Sequence, residues 1–102
     1  MFGKVLAFDP EDAIALFGLG SAHCVLEEWE PAVDVLTRAL VADKNNSAIY
    51  LAHGKALESL GRSNEAKETY TAGMAIASKR GDLMPLREME HRMLLTTRRS
   101  CA

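Results

Sequence analysis

His23, Cys24 and His53 are the side chains of this sequence best suited to holding a metal. Imidazole nitrogen and thiolate sulfur are the natural ligands of zinc, which takes about four donors tetrahedrally. His23 and His53 fall among apolar residues at helical spacing, where a packing role suffices. His23 and Cys24 are neighbours in a stretch of helical periodicity, so their side chains point about 100° apart. No metal and no cofactor is expected. The same divergence removes Cys24 and His23 as a nucleophile and its base. Such catalysis needs the base hydrogen-bonded to the nucleophile and a third group orienting the base. No spacing in the chain offers that set, so the protein is read as non-enzymatic. The pairs Lys79-Arg80 and Arg98-Arg99 could touch phosphates. The sequence pI is about 5.9, however, and no aromatic residues are interleaved with these bases. Nucleic-acid domains usually lie well above that value, and solvated helix ends account for the pairs, so no nucleic acid is expected.

The elements that must position any site repeat along the chain. Ala13 to Asn46 recurs, shifted by 34 residues, as Ser47 to Arg80. The shift places Gly20 on Gly54, Ala22 on Ala56, Leu26 on Leu60 and Ala32 on Ala66, and it matches bulky residues at Leu16/Tyr50, Leu36/Tyr70 and Leu40/Met74. A fixed period of this length marks a stacked helical array. In the first copy Leu16, Leu19, Ala22, His23 and Leu26 are spaced by three and four, which predicts an amphipathic helix with these residues inward. Gly18 and Gly20 inside it cost roughly 1 kcal/mol each against Ala, a cost that close approach of a neighbouring helix would offset. After a turn near Glu27-Glu28-Trp29, a second helix has Pro31 in its first turn and runs to about Ala42, with Ala32, Val35, Leu36, Ala39 and Leu40 inward. The second copy runs from Ser47 to about Leu60, turns through Gly61-Arg62-Ser63 with Ser63 as cap, and continues to about Lys79. Asp9 and Pro10 read as the start of the first helix. Asp82 caps a last helix whose apolar face takes Leu83, Leu86, Met89 or Glu90, Met93 and Leu94.

These boundaries make the chain one all-α domain: residues 1–9 end a partial preceding repeat, 10–46 and 47–80 are the two repeats, 81–99 form a capping helix, and 100–102 fray. The 102 residues, 48% hydrophobic and 25% charged, suit one soluble globular unit. Charge is unevenly spread. Residues 1–46 carry three bases against eight acids, 3 − 8 = −5, and residues 79–102 carry six bases against three acids, 6 − 3 = +3. Cys24 and Cys101 have neither metal nor redox spacing, which fits a reducing compartment. Asp9-Pro10 interrupts the N-terminal apolar stretch before a signal-type core forms, and no run approaches membrane-spanning length. The expected setting is the cytoplasm, with no membrane.

The repeat resembles the tetratricopeptide repeat, a 34-residue helix–turn–helix unit. The first copy supplies Leu16, Leu19-Gly20, His23, Ala32, Leu36 and Ala39, and the second Tyr50, His53-Gly54, Leu57, Ala66, Tyr70 and Gly73. Departures are His at two signature positions, Gly73 for Ala, and Lys44 and Ser78 where Pro is usual. The resemblance implies a short right-handed α-solenoid that acts as a protein-binding module, gripping a peptide in a groove lined by the first helix of each repeat. It places Phe17, Ser21, Cys24 and Val25 of the first copy, and Leu51, Ala52, Lys55 and Glu58 of the second, along that groove. Helical spacing agrees, since 17, 21 and 24 share a face, as do 51, 55 and 58. The Lys and Asn with which such proteins clamp a chaperone's C-terminal carboxylate are absent from Phe17, Ser21 and Ala52. The partner expected is therefore a protein or peptide with an apolar or mixed segment. An alternative role is assembly: Phe2, Val5 and Leu6, with no preceding repeat to pack on, could pair two copies as a homodimer.

Overall fold

The computed structural model describes residues 12–101, with side chains to residue 95. Among the described residues five helices and no strand are found: α1 (Ala13–Val25), α2 (Trp29–Ala42), α3 (Ser47–Ser59), α4 (Ser63–Arg80) and α5 (Leu83–Cys101). Sequential helices pack on each other, and α3 also touches both α1 and α5. The odd-numbered helices thus form one layer of a short α-solenoid and α2 and α4 the other. No helix of the described residues is long and apolar enough to cross a membrane.

Local chemistry sets the ends. Asp12 caps α1 by accepting the Ala15 N–H at 3.3 Å, so that helix starts three residues later than Asp9 predicts. An acceptor at this position satisfies one of the amides left open by the first helical turn. Asp9, Phe2, Val5 and Leu6 lie outside the described residues. Asn46 caps α3 through the Ala48 N–H at 3.1 Å. Ser63 is the first residue of α4 rather than its cap. The Arg62 carbonyl already accepts from the Ala66 N–H at 3.0 Å, and the Arg62 guanidinium pairs with Glu65 through two bonds of 2.7 Å. The α1 and α3 exits share one geometry. Glu28 N–H reaches His23 O at 2.8 Å and Arg62 N–H reaches Leu57 O at 2.9 Å, around Glu27 and Gly61 in the left-handed region at φ 59° and 79°. This double closure satisfies the last carbonyls of each helix.

The core lies between the layers. Leu16, Ala32, Leu36, Ala39, Ile49, Ala56, Leu57, Ala66, Tyr70, Ala77 and Met89 are buried. Gly20 and Gly54 face Leu36 and Tyr70 so closely that a Cβ on either would overlap the opposing side chain. Gly18, in contrast, faces open space, so the close approach expected of it belongs to Gly20 alone. Gly73, where the repeat usually has Ala, is bracketed by Tyr50 and Met89. The inward face predicted for α1 is only partly realised. Leu16 and Gly20 are buried, whereas Ala22 is exposed, Leu19 is 47% exposed and Leu26 67%. Alpha1 is apolar on most sides, so periodicity leaves its inner face open and contact with α2 selects it. On α5 Met89 takes the core position rather than Glu90. Leu86 and Met93 are half-buried, and Leu83 and Leu94 turn outward. Buried Ser47 donates to Asp82 Oδ2 at 2.9 Å, tying the start of α3 to the start of α5.

Candidate functional site

The small residues that let α1 and α3 approach α2 and α4 leave the opposite faces of the odd helices forming a concavity of about 520 Å³. That volume lies in the usual range for ligand pockets, about 300–1,000 Å³. Alpha1 contributes Ser21, Cys24 and Val25, and α3 contributes Ala52, Lys55 and Glu58. Phe17 and Leu51 are not among the lining residues and are half-buried against the core. Three further residues complete the lining: Trp29 at the start of α2, Ser59 at the end of α3 and Arg92 from α5. Repeat arithmetic could have found two of them. Ser59 is the counterpart of Val25, and Cys24, Glu58 and Arg92 occupy one position in three successive odd helices, 34 residues apart. Trp29 carried no such signal, since its counterpart is Ser63.

The wall of the groove is an internally satisfied polar cluster. Glu58 Oε1 accepts from the hydroxyl of buried Tyr70 at 2.6 Å and from Arg92 Nη1 at 3.2 Å, and Arg92 Nε donates to Glu88 at 2.8 Å. Burial, reinforced by the bond to Glu58, pushes the Tyr70 hydroxyl far above its ordinary value, so it remains a donor. Burial works against the Arg92 charge, but the carboxylates of Glu88 and Glu58 outweigh it and hold the guanidinium above its usual range. Burial likewise pushes the Cys24 thiol up, with the Lys55 charge pulling the other way. A raised thiol is mostly protonated near neutral pH and is a poor nucleophile.

The residues first considered for metal chemistry are held apart by other partners. His23 Nδ1 bonds Glu28 at 2.8 Å, and His53 Nε2 lies 3.2 Å from Thr37 Oγ1. The Thr37 hydroxyl is itself committed to the Val33 carbonyl at 2.7 Å, so His53 Nε2 is the donor and its buried Nδ1 is left without a partner. Burial and the nearby Arg62 lower the His53 pKa, keeping the ring neutral. Among the described residues no three His, Cys, Asp or Glu side chains are placed to share a metal ion. What the concavity offers is shape, exposed apolar surface and fixed charge.

No family model matches the chain. A curated relative from Pseudomonas aeruginosa, described as a TPR repeat-containing protein, is 31% identical over 86 residues, covering 84% of this chain and 82% of that protein. A tetratricopeptide repeat domain protein of Salinibacter ruber superposes in its solution structure with a TM-score of 0.76 at 26% identity, covering 87% of this chain and 90% of that one. Its crystal structure gives 0.78 at 23% identity, with coverages of 84% and 96%. A solution structure of a Bordetella parapertussis protein gives 0.78 at 26% identity, covering 86% of this chain and 76% of that one. The fold is that of protein–protein interaction modules in general. With the repeat register, the two-layer packing and a relative matched along most of its length, this chain belongs to the tetratricopeptide repeat family.

Proposed function

We propose that the protein is a non-enzymatic adaptor that binds a peptide segment or protein surface in the groove along α1, α3 and α5. The observation that carries this reading is Val25, an apolar side chain 82% exposed on the groove lining, beside Trp29, Cys24 and Ala52. Apolar surface left open in a concavity is a candidate contact, and Trp is among the residues that most often anchor interfaces. A cytoplasmic setting belongs to the same reading, because Cys24 is a free thiol and reducing compartments keep such thiols free.

Phe17 packs against the core, so a charge placed there would test folding as much as binding. Val25→Asp is the cleaner test. Peptides selected on the wild-type chain should lose about tenfold or more in affinity on this variant, an effect of hot-spot size, with helix content unchanged and a small drop in melting temperature because an acid at the last residue of α1 opposes the helix dipole. Undiminished binding would remove the groove from the reading. A second reading, self-association, is favoured by one observation: Ile14 and Leu26 on α1, the first described helix, are both exposed apolar residues. Phe2, Val5 and Leu6, the residues first assigned to that contact, lie outside the described residues.

A further inference from the structure

The charges of the groove narrow the class of partner, given the reading above that the partner binds there. Its three charged lining residues are not equivalent. Glu58 and Arg92 face each other at 3.2 Å, and each has a further partner, Tyr70 for Glu58 and Glu88 for Arg92. Lys55 is exposed and, among the described residues, makes no ion pair. Its counterpart one repeat earlier is uncharged Ser21. Two bases against one acid leave the lining at 2 − 1 = +1. The rest of the lining is apolar or neutral: Ser21, Cys24, Val25, Trp29, Ala52 and Ser59.

We infer that the groove's occupant is an acidic peptide segment, with an Asp or Glu carboxylate on the Lys55 ammonium and a neighbouring apolar side chain against Val25 and Trp29. The apolar contact supplies most of the affinity, and the charge supplies selection. Opposite charges across an interface discriminate between partners more than they tighten binding, because a misplaced like charge is costly. A basic segment seated here would meet Lys55, and the one acid of the lining, Glu58, already faces Arg92.

Trp29 is the single tryptophan of the chain, so its fluorescence reports this site alone. The probes are the hexapeptide acetyl-Gly-Asp-Leu-Phe-Asp-Gly-amide and its analogue with Lys in place of both Asp. Wild type should bind the acidic probe about fivefold or more tighter than the basic one, the scale of one partly exposed ion pair. Lys55→Met should abolish that preference and Lys55→Glu invert it, with circular dichroism unchanged because the residue is exposed. Equal binding of the two probes, a preference indifferent to Lys55, or no response to either overturns the acidic assignment. A random dodecapeptide display library selected in parallel on wild type and Val25→Asp separates this failure from failure of the groove itself. Val25-dependent peptides lacking acidic bias overturn the assignment and leave the groove reading standing, whereas no Val25-dependent enrichment overturns both.

Discussion

Glu27 holds the left-handed position that closes α1, at φ 59°, where Gly61 closes α3 at 79°. The hydrogen bonds around the two are the same, Glu27 N–H to Cys24 O at 3.0 Å and Gly61 N–H to Glu58 O at 2.9 Å. Only the side chain differs, and an L-residue in this region costs about 1–2 kcal/mol because Cβ crowds the following carbonyl. Glycine removes that crowding but gives the unfolded chain more freedom, a counter-effect of about 0.4–1 kcal/mol. Glu27→Gly should therefore raise stability by about 0.5–1 kcal/mol, seen as a higher urea midpoint with unchanged slope. A lower midpoint would mean that the Glu27 side chain makes a contact worth more than the strain. A turn was legible in both repeats, near Glu27-Glu28-Trp29 before Pro31 and at Gly61, but its left-handed position only in the second, where glycine announces it. Likewise His53 was readable as a packing position, but its bond to Thr37 was not, because nothing in a one-dimensional pattern places Thr37 of α2 against α3.

Between elements the repeat is a rule of small against large. Gly20 meets Leu36 and, 34 residues on, Gly54 meets Tyr70. Both helix pairs close on a glycine because a Cβ there would occupy the space of the buried side chain opposite. Tyr70 is fully buried and its hydroxyl is held by Glu58, so the ring cannot swing away. Gly54→Ala should cost about 1–3 kcal/mol through overpacking, a loss that the gain in helix propensity of up to about 1 kcal/mol does not cancel. Gly18→Ala, on the exposed side of α1 with nothing within 4 Å, should instead stabilise by about 0.5–1 kcal/mol. Urea titration of the two variants gives midpoints moving in opposite directions. Shifts of the same sign would mean that glycine entropy, not helix approach, governs both positions. The register of these pairs was legible because glycine, alanine and bulky residues recur in step. The exposed face of α1 was not, since Ile14, Leu19 and Leu26 are as apolar as buried Leu16. The groove was half legible: its residues on α1, α3 and α5 keep the 34-residue register, whereas Trp29, whose counterpart is Ser63, carried no such signal.

At the scale of the whole molecule the described stack has two different ends. Among the described residues contacts run between successive helices and between neighbouring odd helices, so α1 and α5 each have a face that the other described helices do not cover. At the C-terminal end α5 sends Met89 into the core and ties itself to α3 through Arg92 and Glu58, yet Leu83, Met84 and Leu94 stay exposed. At the other end α1 exposes Ile14, Leu19 and Leu26. Where side chains are described, residues 12–46 carry two bases against six acids, 2 − 6 = −4, and residues 79–95 carry four bases against three acids, 4 − 3 = +1, so the two ends of the described stack differ in sign. An acidic apolar end and a basic apolar end are complementary head to tail, whereas two copies of one end repel through charge and attract through apolar contact. Light scattering over a hundredfold concentration range separates these cases. If the second reading of the protein's role holds, a charge-driven stack should fall apart as ionic strength approaches 1 M, where the screening length is about 3 Å, while an apolar two-fold dimer should persist. Ile14→Asp should then weaken the dimer without loss of helicity, because that side chain is 79% exposed. A monomer at every concentration and salt would show that the ends of the described stack tolerate water, leaving the proposed groove as the surface to test for partner binding.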